Sequence, residues 1–163
     1  MEELSMVISK FIIEELRRRA DRAGVSIEEY LLDILVRDVD PLEGAEKYLR
    51  SAKELLEQAR QEIVKGNLRQ ASEKIWDACA LAIKAHALAK KGVRIERHSD
   101  LWIYKNEVAK ELGDWVRAVF RQADSMHKNF YEDIATKEDV EDTLREVKRL
   151  VVEIAKALKL RDR

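Results

Sequence analysis

A single proline, Pro41, and five glycines punctuate 163 residues. So few turn residues cannot supply the closely spaced reversals of a β-sandwich or barrel, and the chain is expected to be all-α. The proline marks the main division. Asp40-Pro41 reads as an N-cap followed by a first-turn proline, whose missing N–H costs nothing at that position. Residues 1–40 are therefore expected to form an N-terminal arm, and residues 41–163 an antiparallel up-down helical bundle.

The arm shows two short helical patterns. One runs from Phe11 to Ala23 and stops at Gly24; the other opens at Ser26, with Glu29 completing a capping box, and carries Tyr30, Leu31, Ile34 and Leu35. A short strand over Met6 to Lys10 ahead of them gives the arm a ribbon-helix-helix appearance. Its ten acidic residues against six basic ones, with only Lys10 basic in the strand, argue against a DNA-reading face. The arm is expected to pack on the bundle or on a second subunit.

Beyond Pro41 the apolar spacing predicts longer helices. Leu42, Ala45, Leu49, Ala52, Leu56, Ala59 and Ile63 precede Gly66. A second runs from about Leu68 to Lys91, and its alanine face (Ala71, Ala78, Ala82, Ala85, Ala89) places it at the centre of the bundle. A third is expected from Asp100 to Leu112, a fourth from near Asp114 to about Phe130. The last opens on a Thr136/Asp139 capping box and buries Val140, Leu144, Val147, Val151, Ile154 and Leu158.

Composition excludes several functions. No apolar run approaches the ~18 residues of a membrane span, and the N-terminus lacks a basic segment followed by an apolar one. The one cysteine, Cys79, lies among alanines and reads as a small buried hydrophobe; it excludes an internal disulfide and a multi-cysteine zinc site. His86, His98 and His127 show no metal spacing, so neither a metal nor another cofactor is expected. A cytoplasmic protein is the expectation, and the excess of Glu, Lys and Arg over Asn and Gln points to a thermophilic source.

A stretch from Lys84 to Lys105 holds Lys84, Lys90, Lys91, Arg94, Arg97 and Lys105 against Glu96 and Asp100, with His98, Trp102 and Tyr104 interleaved. Basic residues among aromatics suit an RNA-contacting surface; a solvated helix end with Trp102 in the core is the alternative.

The segments Tyr48-Leu49-Arg50-Ser51-Ala52, Gly66-Asn67-Leu68-Arg69-Gln70-Ala71-Ser72-Glu73-Lys74-Ile75-Trp76 and Ala82-Ile83-Lys84-Ala85 lie in the first half of the bundle. Arg97-His98-Ser99-Asp100-Leu101-Trp102 and His127-Lys128-Asn129-Phe130-Tyr131-Glu132 follow them. Together they make the region from Glu46 to about Val152 resemble the archaeal PaREP family, which is usually placed near the HEPN superfamily of nucleotide- and RNA-associated helical domains. The resemblance implies a HEPN-like bundle, a two-fold homodimer and a nucleotide or RNA ligand. In the ribonuclease members an Arg, four to six residues and a His cleave RNA without metal. Arg121 and His127 stand in that relation, which implies a metal-independent endoribonuclease with both as catalytic residues. Gln122 departs from the Asn, Asp or His usual after that Arg. Lys91, Arg94, Arg97, His98, Lys128, Asn129 and Tyr131 are the expected nucleic-acid contacts.

The chemistry suits the pair. Histidine exchanges a proton near neutrality, and arginine offers a planar donor fork to a phosphate. The alternative is structural: His127 closes a helix end on the backbone, while Arg121 pairs with Asp124 or Glu132. The chain is then a non-catalytic dimerisation or interaction protein with an unknown protein partner.

Overall fold

A computed structural model describes residues 4–159 and consists of seven helices: α1 (Lys10–Ala23), α2 (Ile27–Leu35), α3 (Pro41–Val64), α4 (Leu68–Lys91), α5 (His98–Leu112), α6 (Trp115–Glu132) and α7 (Lys137–Ala157). No strand occurs among the described residues. The one expected over Met6 to Lys10 is absent because a single extended segment has nothing among the described residues to pair with. Lys10 is instead the first residue of α1, and Ser9 caps it by accepting the Ile12 N–H at 3.4 Å.

The start signals act as the sequence suggests. Ser26 accepts the Glu29 N–H, Asp40 accepts the Leu42 N–H ahead of Pro41, and Thr136 and Asp139 exchange the two bonds of a capping box. Helix α5 begins at His98, two residues before the expected start. Arg97 is its N-cap and makes no side-chain cap bond, so Ser99 falls in the first turn rather than ahead of it.

Helix α4 is the axis of the bundle and packs against α3, α5, α6 and α7. Its run from Ile75 to Leu88 is buried without interruption, which the alanine-rich sequence permits because small side chains let neighbouring backbones approach. The approach to α3 is close at Gly44, where an added Cβ would lie 2.6 Å from Leu88 Cδ2. Among the described residues, no helix is long and apolar enough to cross a membrane.

The arm is fixed to the bundle by buried polar groups. Lys84, on α4, is 1% exposed; its Nζ donates to Asp33 Oδ1 and Oδ2 at 3.0 and 2.7 Å and lies 3.1 Å from Glu29 Oε1. Tyr48 of α3 donates its hydroxyl to Asp33 at 2.6 Å. One ammonium thus faces two carboxyls away from water. Burial pushes the Glu29 carboxyl up, and the neighbouring Asp33 charge adds to the effect. Burial pulls Lys84 down, but the two carboxylates outweigh it and leave it above the ordinary lysine value. Arg94 strengthens the same junction, donating to the carbonyls of Val36 and Val39 at 2.6 and 2.9 Å.

Candidate active site

The turn between α1 and α2 overhangs a second polar cluster. Gly24 closes α1 with φ +73°, and a Cβ there would meet His98 Cβ at 3.3 Å, so the turn rests directly on the first residue of α5. Ser26 caps α2 and also donates its hydroxyl to Asp77 Oδ2 of α4 at 3.0 Å. Helices α5 and α6 run back from Gly113, and this brings His98 and His127 together with ring centroids 5.7 Å apart. Trp76 packs against both, at 5.1 and 5.7 Å.

Each imidazole has its own carboxylate. His127 Nδ1 lies 3.1 Å from Glu73 Oε2, and His98 Nε2 lies 3.3 Å from Asp124 Oδ1 while receiving the Trp102 indole N–H at 3.2 Å. The hydrogen bond to Glu73 raises the His127 pKa above the ordinary histidine value, against the opposing effect of burial. The two imidazole side chains are 28% and 24% exposed, for His98 and His127 respectively. Burial, with Glu29 and Glu73 nearby, pushes the Asp77 carboxyl well up.

A cleft of ≈ 620 Å³ opens between the α1–α2 turn, α4 and the end of α6. Asp77 and Glu73 are on its α4 wall, and His127, Phe130 and Tyr131 are on its α6 wall. Asp21 and Glu28 add negative charge, against Arg17 and Lys74. Two buried polar atoms at this junction have no hydrogen-bond partner, Asp77 Oδ1 and His98 Nδ1. A histidine held on a carboxylate at a half-open cleft, with unpartnered polar atoms behind it, is what acid–base chemistry or tight recognition of a polar ligand requires. No group of three or more metal-ligating side chains suited to an ion occurs among the described residues.

The expected site residues separate into those the cleft gathers and those it does not. His127 and Tyr131 are at the mouth, with their rings perpendicular at 5.7 Å. His98 belongs beside His127 and not to a separate basic surface. Arg121 is exposed on another face of α6, where its charge helps to hold down the ammonium of Lys105, although burial of that group is the larger effect. The partners of His127 are side chains, Glu73 among them, so it does not serve as a backbone-bonded helix end. Lys91, Arg97 and Lys128 are exposed.

Two expected ligand contacts have structural work instead. Asn129 is buried: its Oδ1 accepts the N–H groups of Ile134 and Ala135, both at 2.7 Å, and its Nδ2 donates to Ser72 at 2.9 Å. A side chain so engaged holds the α6–α7 turn and has nothing to offer a nucleic acid. Arg94 is committed to the Val36 and Val39 carbonyls. The basic stretch disperses in the same way. Lys84 is in the core network, and Lys105 donates to the Trp102 carbonyl at 2.7 Å beneath the Trp102 and Phe120 rings.

Glu73 and Asp77 were not singled out by sequence reasoning, and Asp124, named there as a partner for Arg121, lies beside His98 instead. One signal was present: His98 lies fifteen residues before Gly113 and His127 fourteen after it. A helical hairpin closed at that glycine sets the two side by side.

The family model described as the archaeal PaREP1/PaREP8 family matches residues 42–151, and the chain belongs to that family. No curated protein matches the sequence. A crystal structure of a protein from Sulfolobus solfataricus has a similar fold, with a TM-score of 0.59 and 23% identity, over 66% of this chain and 96% of that one.

Proposed function

We propose that this PaREP1/PaREP8 member is a HEPN-like nucleotide- or RNA-binding protein of the cytoplasm, with His127 as the proton-transfer group of a metal-independent endoribonuclease. The observation carrying this reading is His127, hydrogen-bonded to Glu73 on the wall of the cleft, with the His98 ring packed 5.7 Å behind it. A base stacks on the exposed Tyr131 ring, and its exocyclic donors meet Glu73 and Asp77. The sugar-phosphate lies outward, toward Arg17, Lys74 and Lys128. With its pKa raised by Glu73, His127 is in part an imidazolium at neutral pH, suited to donating a proton to the leaving 5′-oxygen while the 2′-hydroxyl attacks phosphorus. The proton of the attacking hydroxyl passes to water at the open mouth of the cleft, because His98 Nε2 already accepts the Trp102 indole N–H and its Nδ1 is buried. Arg121 does not face His127 within one chain, so its role in charge stabilisation depends on a two-fold homodimer that brings it to a second cleft.

RNA cleavage in the presence of a chelator, lost in His127→Ala and reduced in Arg121→Ala, tests the catalytic reading. Binding should weaken steeply with salt in proportion to the phosphates contacted. A second reading, a non-catalytic dimerisation or interaction protein, is favoured by a separate observation: Met6, Val7 and Phe11 of the arm are 80%, 101% and 75% exposed. Absence of any salt-dependent RNA binding would support that second reading over the first, a dimer mass in light scattering being common to both.

A further inference from the structure

We infer that the cleft selects a planar group with adjacent N–H donors, either the Watson–Crick edge of a guanine base or the guanidinium of a small guanidino compound, and holds it on Asp77 and Glu73. In its guanine form the inference rests on the nucleotide reading above; in its guanidinium form it does not.

The acceptors come first in the argument. Asp77 and Glu73 are four residues apart on α4 and so share a face. Asp77 is 3% exposed and lines the cleft; its Oδ2 accepts from Ser26, but its Oδ1 has no partner. A buried carboxylate oxygen without a donor costs free energy that an incoming N–H would recover. Asp21 and Glu28 surround the same opening, so a phosphate or carboxylate is repelled from the floor and a donor group is drawn to it.

Shape narrows the choice further. Phe130 and Tyr131 form an aromatic side to the cleft, on which a flat ring or a guanidinium plane stacks and a tetrahedral ammonium fits less well. The volume of ≈ 620 Å³ admits a group of nucleotide size. A donor fork bridging Glu73 and Asp77 makes paired hydrogen bonds in the plane of the ligand, which adenine, with one amino group beside an acceptor nitrogen, cannot reproduce.

Calorimetric titration of the full chain with GMP, AMP and methylguanidine tests this. The expected result is GMP binding at least tenfold tighter than AMP. Asp77→Asn should weaken GMP roughly 10-fold and AMP less, since the donor fork of guanine loses one of its two acceptors. Tyr131→Ala, at an exposed position that cannot disturb the core, should weaken both nucleotides by about tenfold. Methylguanidine binding that Asp77→Asn abolishes, with no nucleotide binding, would support the donor-fork site and refute the nucleotide reading. Equal GMP and AMP affinities, unmoved by Asp77→Asn, would overturn the inference and leave the nucleotide reading standing. No binding of any of the three would overturn the inference outright.

Discussion

Two polar clusters lie where the arm meets the bundle, and each sets basic side chains against carboxyls. In the first, Lys84 is enclosed with Glu29, Asp33 and Tyr48, and its ammonium is satisfied by protein groups alone. In the second, His98 and His127 lie with Asp124 and Glu73 under the α1–α2 turn, half open, beside an unpartnered Asp77 oxygen. The closed cluster is shut off from solvent, with the Lys84 and Glu29 side chains fully buried. Buried oxygens without a hydrogen-bond partner occur in both, on Glu29 in the first and on Asp77 in the second, but only the second lies beside an open cleft. Buried charge by itself therefore does not mark a functional site; what separates the two clusters is access to the cleft.

The comparison breaks most readily at Lys84. Lys84→Met leaves two carboxyls facing an apolar side chain and should lower stability by about 3–5 kcal/mol, as breaking other buried pairs does. Urea unfolding would measure this. A loss below ~1 kcal/mol would mean that the closed cluster is not structural. Asn129→Ala, which orphans the Ile134 and Ala135 N–H groups, should cost about 2 kcal/mol by the same measurement.

Gly24→Ala probes the link between turn and site. An L-residue at φ +73° is strained by ~1–2 kcal/mol, and the added methyl presses on His98. The thermal midpoint should fall, and the His98 ring resonances should move more than those of His86.

The smallest effect has a sign fixed by pH. Because Glu73 raises the folded pKa of His127, the pair contributes stability that is fully present below the unfolded value of about 6.5 and is lost as pH rises through the raised folded value. Glu73→Gln should thus be less stable than wild type by about 0.5–1 kcal/mol at pH 5.5, with the difference vanishing in alkaline solution. A constant difference across that range would remove the ion pair from the account.

Much of the fold was legible along the chain because its signals are local. Gly24, Gly66 and Gly92 all adopt positive φ at or just after helix ends, and the caps at Ser26, Asp40 and Thr136 act where they stand. The start of α5 was misread because Ser99 resembles a cap while the helix opens uncapped at His98. The site was harder to read, since it is made by tertiary contact among α2, α4, α5 and α6. Lys84 and Lys105 read as solvated basics because sequence does not show which lysines meet buried carboxylates or aromatic faces. His127 lines the cleft, and the side chain it bonds is Glu73 on another helix.

His86 supplies the control for the central claim that the open cluster is the ligand site. It too has a carboxylate, Glu111 at 2.9 Å, and bonds Tyr104 at 2.8 Å, yet burial outweighs Glu111 and lowers its pKa. NMR titration of the three imidazoles, with and without GMP, therefore tests the claim most directly. His127 should titrate above the ordinary histidine value of about 6.5, and its ring signals should shift saturably on adding GMP, while His86 titrates lower and does not respond. An unresponsive His127, or equal shifts at His86 and His127, would contradict the account.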